Sequence, residues 1–207
     1  MADQPRFEFF YDCSSPWTYL AFTRVIPMLE ELGVDIQWRP ILVGGVFNAV
    51  NQELYEKRAN WANNKRQFTY YLKDLGDWAN FCGIRIIQPS VFPVNSARAM
   101  RGAIFAEEQG RLVAWSRAVF EAYWGDDQDI SQAAVLEALA SKSGLDPAAL
   151  LAATDNPTYK QALRSNTDDL IERGGYGSPT MFINGDDMYF GNDRLPLVEA
   201  RLQQLLG

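Results

Sequence analysis

"YDCSSPWTYL" (11–20) begins as the end of a strand and finishes as the start of a helix, with Cys13-Ser14-Ser15-Pro16 at the junction. Pro16 suits a first helical turn, where its missing N–H costs nothing. Upstream, "RFEFFYD" (6–12) is aromatic-rich and bounded by polar residues, as a buried strand is. Downstream, Trp17, Leu20, Ala21, Val25, Met28, Leu29 and Leu32 recur at helical spacing until Gly33 stops the helix. "VDIQWRPI" (34–41) then alternates as a second strand. A strand, helix and strand in this order form a βαβ unit, right-handed and with parallel strands.

The period changes after about Glu53. Up to Arg173 the pattern predicts helices over Lys65–Phe81, Val94–Gln109, Leu112–Tyr123, Ser131–Lys142, Pro147–Ala153 and Thr158–Arg173. Ser131 and Asp146 suit N-caps, Pro157 suits a first turn, and Gly144 and Gly174 suit helix ends. After "GGYGSP" the strand period returns: "TMFIN" (180–184), the turn "GDD" and "MYF" (188–190) predict a hairpin. "DRLPLVEARLQQLLG" closes the chain as an amphipathic helix with Pro196 in its first turn. The predicted order is βαβ, an all-helical block, then ββα. It describes one α/β sheet domain interrupted by a helical insertion over the sheet's carboxyl edge, where open α/β folds place ligands.

With 207 residues, 47% of them hydrophobic, the chain is long enough to bury a substantial core. A formal charge of −7 argues against a nucleic-acid or anionic-membrane surface. The N-terminal residues lack the basic and apolar regions of a signal peptide, and no apolar run approaches the ~20 residues of a membrane span. Two separated cysteines make no disulfide framework, so a reducing cytoplasm is the expected setting. There is no histidine, which removes Ser-His-Asp and Cys-His catalysis and His-ligated zinc. No metal site is expected.

The marked residues then divide. Cys13, inside an apolar strand end, reads as a small buried hydrophobe, and Cys82 in "WANFCGI" reads similarly. Ser15 is an N-cap candidate. The same geometry serves an arriving anion, because a helix N-terminus gathers unpaired N–H groups and partial positive charge. A thiolate there would have its pKa lowered. "GSP" (177–179) places Pro179 at a strand entry, where a cis Ser178–Pro179 bond would turn the backbone of Ser178 toward an extended ligand. In "FGNDR" (190–194), Asn192 or Asp193 either caps the last helix or holds an amino-acid head group. On composition alone Asn51, Lys65 and Arg66 read as solvated. Trp61, Phe68, Tyr70, Tyr71, Trp78, Trp115, Tyr123 and Trp124 read as core or as cover for a hydrophobic cleft.

Together "FFYDCSSPWTYLA", "RPILVGGVF", "NKRQFTYYLKDLGDWA", "FPVNSARAMR", "GYGSPTMFING" and "FGNDRLPLVE" resemble the 2-hydroxychromene-2-carboxylate isomerases. That family stands with the kappa-class glutathione transferases in the DsbA-like branch of thioredoxin folds. The resemblance runs over nearly the whole chain. The change of hydrophobic period at both borders predicts a thioredoxin-like domain over 1–45 and 167–207, interrupted by a helical insertion domain over 46–166. The resemblance implies glutathione as cofactor, a small aromatic carboxylate as substrate, and a homodimer. The implied reaction interconverts 2-hydroxychromene-2-carboxylate-type hemiketals and trans-o-hydroxybenzylidenepyruvate-type compounds, as in naphthalene-like catabolism, by reversible addition of the glutathione thiolate. Ser15 then supports the thiolate, Ser178 and Pro179 pair with the cysteinyl unit, and Asn192 and Asp193 hold the γ-glutamyl group. Asn51 and Lys65 match polar positions of the glutathione and substrate site, and Asn95 recurs as either a cap or a cleft residue. In the disulfide oxidoreductases the same motif holds two cysteines, at the places of Ser15 and Thr18. Both are oxygen here, and Cys13 is two residues too early to substitute.

Overall fold

In the computed structural model, which describes residues 4–53 and 64–207, β1 (Phe7–Tyr11) lies inside a four-stranded sheet of order β2-β1-β3-β4. β2 (Ile36–Pro40) runs parallel to β1, with Phe9 opposite Trp38. β3 (Thr180–Ile183) is antiparallel to β1, with Phe10 opposite Thr180, and β4 (Asp187–Phe190) pairs antiparallel with β3. Every residue of β1 and β3 is buried, which explains why "FEFFY" is aromatic on both faces, with Glu8 the one interruption, rather than alternating.

Among the described residues the helices are α1 (Pro16–Leu32), α2 (Val43–Val50), α3 (Lys65–Cys82), α4 (Ala97–Glu108), α5 (Leu112–Phe120), α6 (Ala133–Lys142), α7 (Pro147–Asp155), α8 (Pro157–Glu172) and α9 (Leu195–Leu206). α1 ends as the sequence implies: Gly33 takes a φ of 66°, and its N–H and that of Val34 return to Glu30 O and Leu29 O. Asp146 caps α7 through Ala149 N at 2.7 Å, and Pro157 opens α8. The fold is the thioredoxin-like, mostly helical α/β fold expected from the βαβ and ββα ends.

Several details differ from the sequence reading. α2 was not anticipated, because "VGGVFNAV" carries two glycines and no cap signal. Ser131 does not cap α6; its hydroxyl turns to Asp129 and Gln132 takes the cap position. α5 stops at Phe120 and continues as a π-helical turn over Glu121–Gly125. Neither Asn192 nor Asp193 caps α9. They form a 3-10 turn with Arg194, and Arg194 precedes α9 without a side-chain cap bond. Both borders drawn for the insertion fall inside helices, the first in α2 and the second in α8.

The sheet's two faces carry separate cores. Phe7, Phe9 and Tyr11 pack with Phe22, Val25 and Leu29 of α1, in a cluster that continues into Trp115, Phe120 and Trp124. On the other face Phe10 and Phe182 meet Ile41, Val46 of α2 and Leu170 of α8. Glu8 is buried on that second face, where Arg173 pairs with it at 2.7 Å while lying 3.9 Å from the Phe182 ring centroid. Phe68 and Tyr70 are exposed on α3 rather than in the core, whereas Trp115, Tyr123 and Trp124 are buried. Trp61 lies outside the described residues.

Candidate active site

Ser15 stands at the N-cap of α1 with extended backbone dihedrals, φ −104° and ψ 124°. Its Oγ accepts the Thr18 N–H at 3.3 Å and donates to Ser178 O at 3.3 Å. Pro16 contributes no N–H, so Trp17 N–H is left as a first-turn donor at the positive end of the helix. Two segments 163 residues apart therefore meet at one hydroxyl.

The Ser178–Pro179 bond is cis, as is Phe92–Pro93, which the sequence reading did not anticipate. Ser178 is fixed by its side chain: its Oγ accepts the Asp12 N–H at 3.0 Å and shares a 2.7 Å hydrogen bond with Thr18 Oγ1. Thr18, at the place of the second motif cysteine, is fully buried. Pro179 O accepts Gly191 N–H at 3.1 Å, which ties "GSP" to "FGNDR". Gly191 takes a φ of 101°, a left-handed conformation that glycine adopts without penalty.

Asn192 is buried, and both its oxygens are taken by Arg24: Nη1 donates to Asn192 O at 2.8 Å and to Oδ1 at 2.6 Å. Arg24 lies over the Trp78 ring at 4.8 Å and the Phe81 ring at 5.8 Å, joining α1, α3 and the turn before α9. Asn192 is thus left with its amide N–H groups to offer a ligand. Asp193 is exposed, with Arg194 3.4 Å away. The sequence reading missed Arg24, which carries no local signal.

Asp12 was missed too. Its carboxylate is fully buried and accepts Ser14 N at 2.9 Å, Val43 N at 2.8 Å and Ser96 Oγ at 3.0 Å. Burial raises its pKa above the ordinary carboxylate value, against the opposing effect of those donors. Ser14, Val43 and Ser96 belong to the active-site turn, the start of α2 and the start of α4, so Asp12 joins all three. The acidic residue just before "CSSP" was the signal available.

The remaining candidates lie around this cluster. Asn51 Nδ2 donates to Tyr176 O at 3.3 Å, two residues before Ser178. Lys65 and Arg66 are exposed at the start of α3, whose Tyr71 ring meets Trp17 of α1 at 5.9 Å. Neither is bonded to Ser15 or Ser178. Asn95 accepts Ala97 N–H at 3.1 Å and so serves the start of α4. Val91 and Phe92 are exposed beside the active-site turn: Phe92 meets the Trp124 ring, and Trp124 Nε1 donates to Cys13 O at 2.9 Å.

Cys13 is buried, as read from the sequence. Burial first, then the neighbouring Asp12 charge, push its thiol pKa well above the ordinary value. Cys82 is half-buried at the end of α3, and burial raises its pKa despite the nearby Arg24. The polar groups that meet at Ser15 and Ser178 are hydroxyls, backbone amides and carbonyls; no thiol is among them.

Comparison with known proteins bears on the chain's family and fold. The chain is 28% identical over 198 residues to 2-hydroxychromene-2-carboxylate isomerase of Pseudomonas putida, covering 96% of this chain and 94% of that protein. It is 26% identical over 223 residues to glutathione S-transferase kappa 1 of Caenorhabditis elegans, covering 99% and 93%. A solved 2-hydroxychromene-2-carboxylate isomerase structure superposes with a TM-score of 0.81 at 28% identity, covering 96% of this chain and 95% of that one. The DSBA-like thioredoxin domain model matches residues 6–203, and the chain belongs to that family.

Proposed function

We propose that the protein is a glutathione-dependent isomerase acting on 2-hydroxychromene-2-carboxylate-type hemiketals and their ring-opened trans-o-hydroxybenzylidenepyruvate-type isomers. One observation carries the reading: the two places where a disulfide oxidoreductase keeps sulfur hold Ser15 and Thr18, one capping α1 and the other buried. That site can stabilise an anion but cannot exchange a disulfide. When bound, glutathione supplies a thiolate able to add reversibly to a conjugated carbon, so that the adjoining double bond can rotate.

The chain's own groups fit such a ligand. Ser15 Oγ and the N-terminus of α1 offer hydrogen-bond donors and partial positive charge to a thiolate. Ser178 offers backbone groups beside Pro179 to an extended cysteinyl unit. The Asn192 amide N–H groups and the Asp193 carboxylate suit the charged head of a γ-glutamyl group. Asn51 bonds to Tyr176 near Ser178, and Lys65 and Arg66, both exposed, are the positive charges this reading assigns to a substrate carboxylate. Trp17, Tyr71 and Phe92 supply apolar walls. The same reading places the protein in the cytoplasm as a homodimer, with residues 46–166 acting as a helical domain over a thioredoxin-like domain of 1–45 and 167–207.

The kappa-class relatives support a second reading, conjugation of glutathione to electrophiles. Following 2-hydroxychromene-2-carboxylate by ultraviolet spectroscopy, with and without glutathione, separates the cases. Isomerisation that needs glutathione and consumes none supports the isomerase. Consumption of glutathione with an electrophile, and no isomerisation, supports the transferase. Binding without turnover of either reduces the protein to a binding module.

A further inference from the structure

We propose that the cleft between Tyr19, the segment leaving α3 and the π-helical turn is a binding site for a small zwitterion of the α-amino-acid class. It is separate from the Ser15 site and independent of the glutathione reading.

The cleft has a volume of about 300 Å³ and is walled by Tyr19, Ile84, Arg85, Glu121 and Asp126, with Gly83 and Gly125 adding no side chain. Its walls are tied together: Ile87 N–H donates to Trp124 O at 2.8 Å, which holds the segment after Gly83 against the π-helical turn. That turn also arranges the acids. Asp126 N–H returns to Glu121 O at 3.0 Å, five residues back. Residues five apart stand well round an α-helix from each other, but the wider π-turn brings them to one side.

Tyr19 is the group that points to a ligand. It is only 5% exposed, and its ring stacks on Phe120 at 4.9 Å with the planes 5° apart. Phenylalanine would serve that stack equally, so packing does not require the oxygen. The hydroxyl has no hydrogen-bond partner among the described residues, yet it is not sealed. Arg39 Nε and Arg101 Nε are the only fully buried, unbonded side-chain polar atoms among those residues, so the Tyr19 oxygen opens to the cleft. Burial, then the charge of Glu121, push its pKa up to about 12, which keeps it a neutral donor and acceptor.

The surrounding charges select the ligand. Glu121 and Asp126 act on this hydroxyl with one sign and Arg117 with the other. Glu121 is committed to Lys142 at 3.0 Å, which leaves Asp126 as the acid without an ion-pair partner among the described residues. Arg85 and Arg117 are exposed and equally unpaired there. A lone anion would meet Asp126, and a lone cation would meet the guanidinium groups. A zwitterion suits both, with its ammonium at Asp126 and its carboxylate between Arg85 and the Tyr19 O–H. Ile84 is the aliphatic residue of the wall and offers room for a short side chain.

The probe is L-alanine, with N-acetyl-L-alanine and ethylamine as controls that lack the ammonium and the carboxylate in turn. Each is titrated into the full chain and followed by backbone amide chemical shifts. Alanine should give saturable shifts centred on Gly83, Ile84, Gly125 and Asp126. Each control should bind about tenfold more weakly or worse, the loss of one charge-assisted contact. Tyr19→Phe keeps the stacked ring and should weaken alanine by roughly tenfold, as should Arg85→Gln and Asp126→Asn at exposed positions. Unfolding midpoints check that each variant is intact. No saturable shift at these amides overturns the proposal, as does equal binding of either control or of intact Tyr19→Phe. Shifts confined to Ser178 and Asn192 and reversed by glutathione would assign alanine to the other site and overturn it too.

Discussion

Arg24 Nη1 donates to both oxygens of Asn192, at 2.8 Å to the backbone and 2.6 Å to Oδ1, so a residue of α1 holds the turn before α9 in place. Asn192 is buried, and removing the guanidinium takes the donor from its Oδ1, while its backbone oxygen keeps only the Leu195 N–H. Arg24→Met should therefore cost about 1–3 kcal/mol of stability. It should also raise KM for glutathione severalfold while kcat falls less. Denaturant titration and steady-state kinetics check this, and a fall in kcat at unchanged KM would count against it.

The two thiols should differ in reactivity. Both pKa values are pushed up by burial, Cys13 far more than Cys82. An aromatic disulfide reagent should titrate Cys82 slowly in the folded protein and reach Cys13 only after unfolding. Cys13→Ala should keep glutathione-dependent activity within about a few-fold, since core packing rather than chemistry is its role. Loss of activity in a folded Cys13→Ala protein would reverse the assignment.

Asp12 gives a pH signature. Its folded pKa lies above the ordinary value of 3.8, so the folded state binds its proton more tightly than the unfolded state. Its contribution is then most favourable below the unfolded pKa and declines as pH rises through the raised folded value. Wild-type stability relative to Asp12→Asn should fall over that window and flatten above it. Denaturation midpoints for both proteins across a pH series measure the gap, and a gap that widens with pH would contradict the burial-dominated shift.

Removing the Ser15 hydroxyl should move the pH–rate profile as well as the fold. Ser15→Ala loses the cap bond to Thr18 N, costing about 0.5–2 kcal/mol. A charge-assisted hydrogen bond of about 1.5–3 kcal/mol corresponds to a bound-thiol pKa higher by one to two units. The variant should lose most of its rate near neutrality and recover part of it in alkali. An unchanged profile in a folded variant that binds glutathione would reduce Ser15 to a cap.

What the sequence made legible was local. The period of Trp17 to Leu32, the stop at Gly33 and the caps at Ser15 and Asp146 depend on near neighbours, and each recurs in the structure. The site's supports depend on distant ones. Asp12 finds Val43 and Ser96, 31 and 84 residues away, and Arg24 finds Asn192 across 168. No periodicity announces such pairs, because each is created by packing of elements that the pattern treats separately. The exposure of Phe68 and Tyr70 has the same origin. Aromatic content suggested burial, but α3 lays only Leu75 and Ala79 fully against the protein.

The strand order also has a bearing on synthesis. β1 receives β2 almost at once, but its other edge waits for β3, which is synthesised only after the whole helical stretch between them. Until then the row Phe7–Tyr11 presents unpaired backbone along an apolar strand, the kind of edge that recruits other chains. A nascent or truncated chain ending before residue 178 would have the helix start at Ser15 but neither the carbonyl nor the hydroxyl of Ser178 facing it. Loss of β3 should therefore appear first as aggregation during production, and as lost activity only in the molecules that escape it.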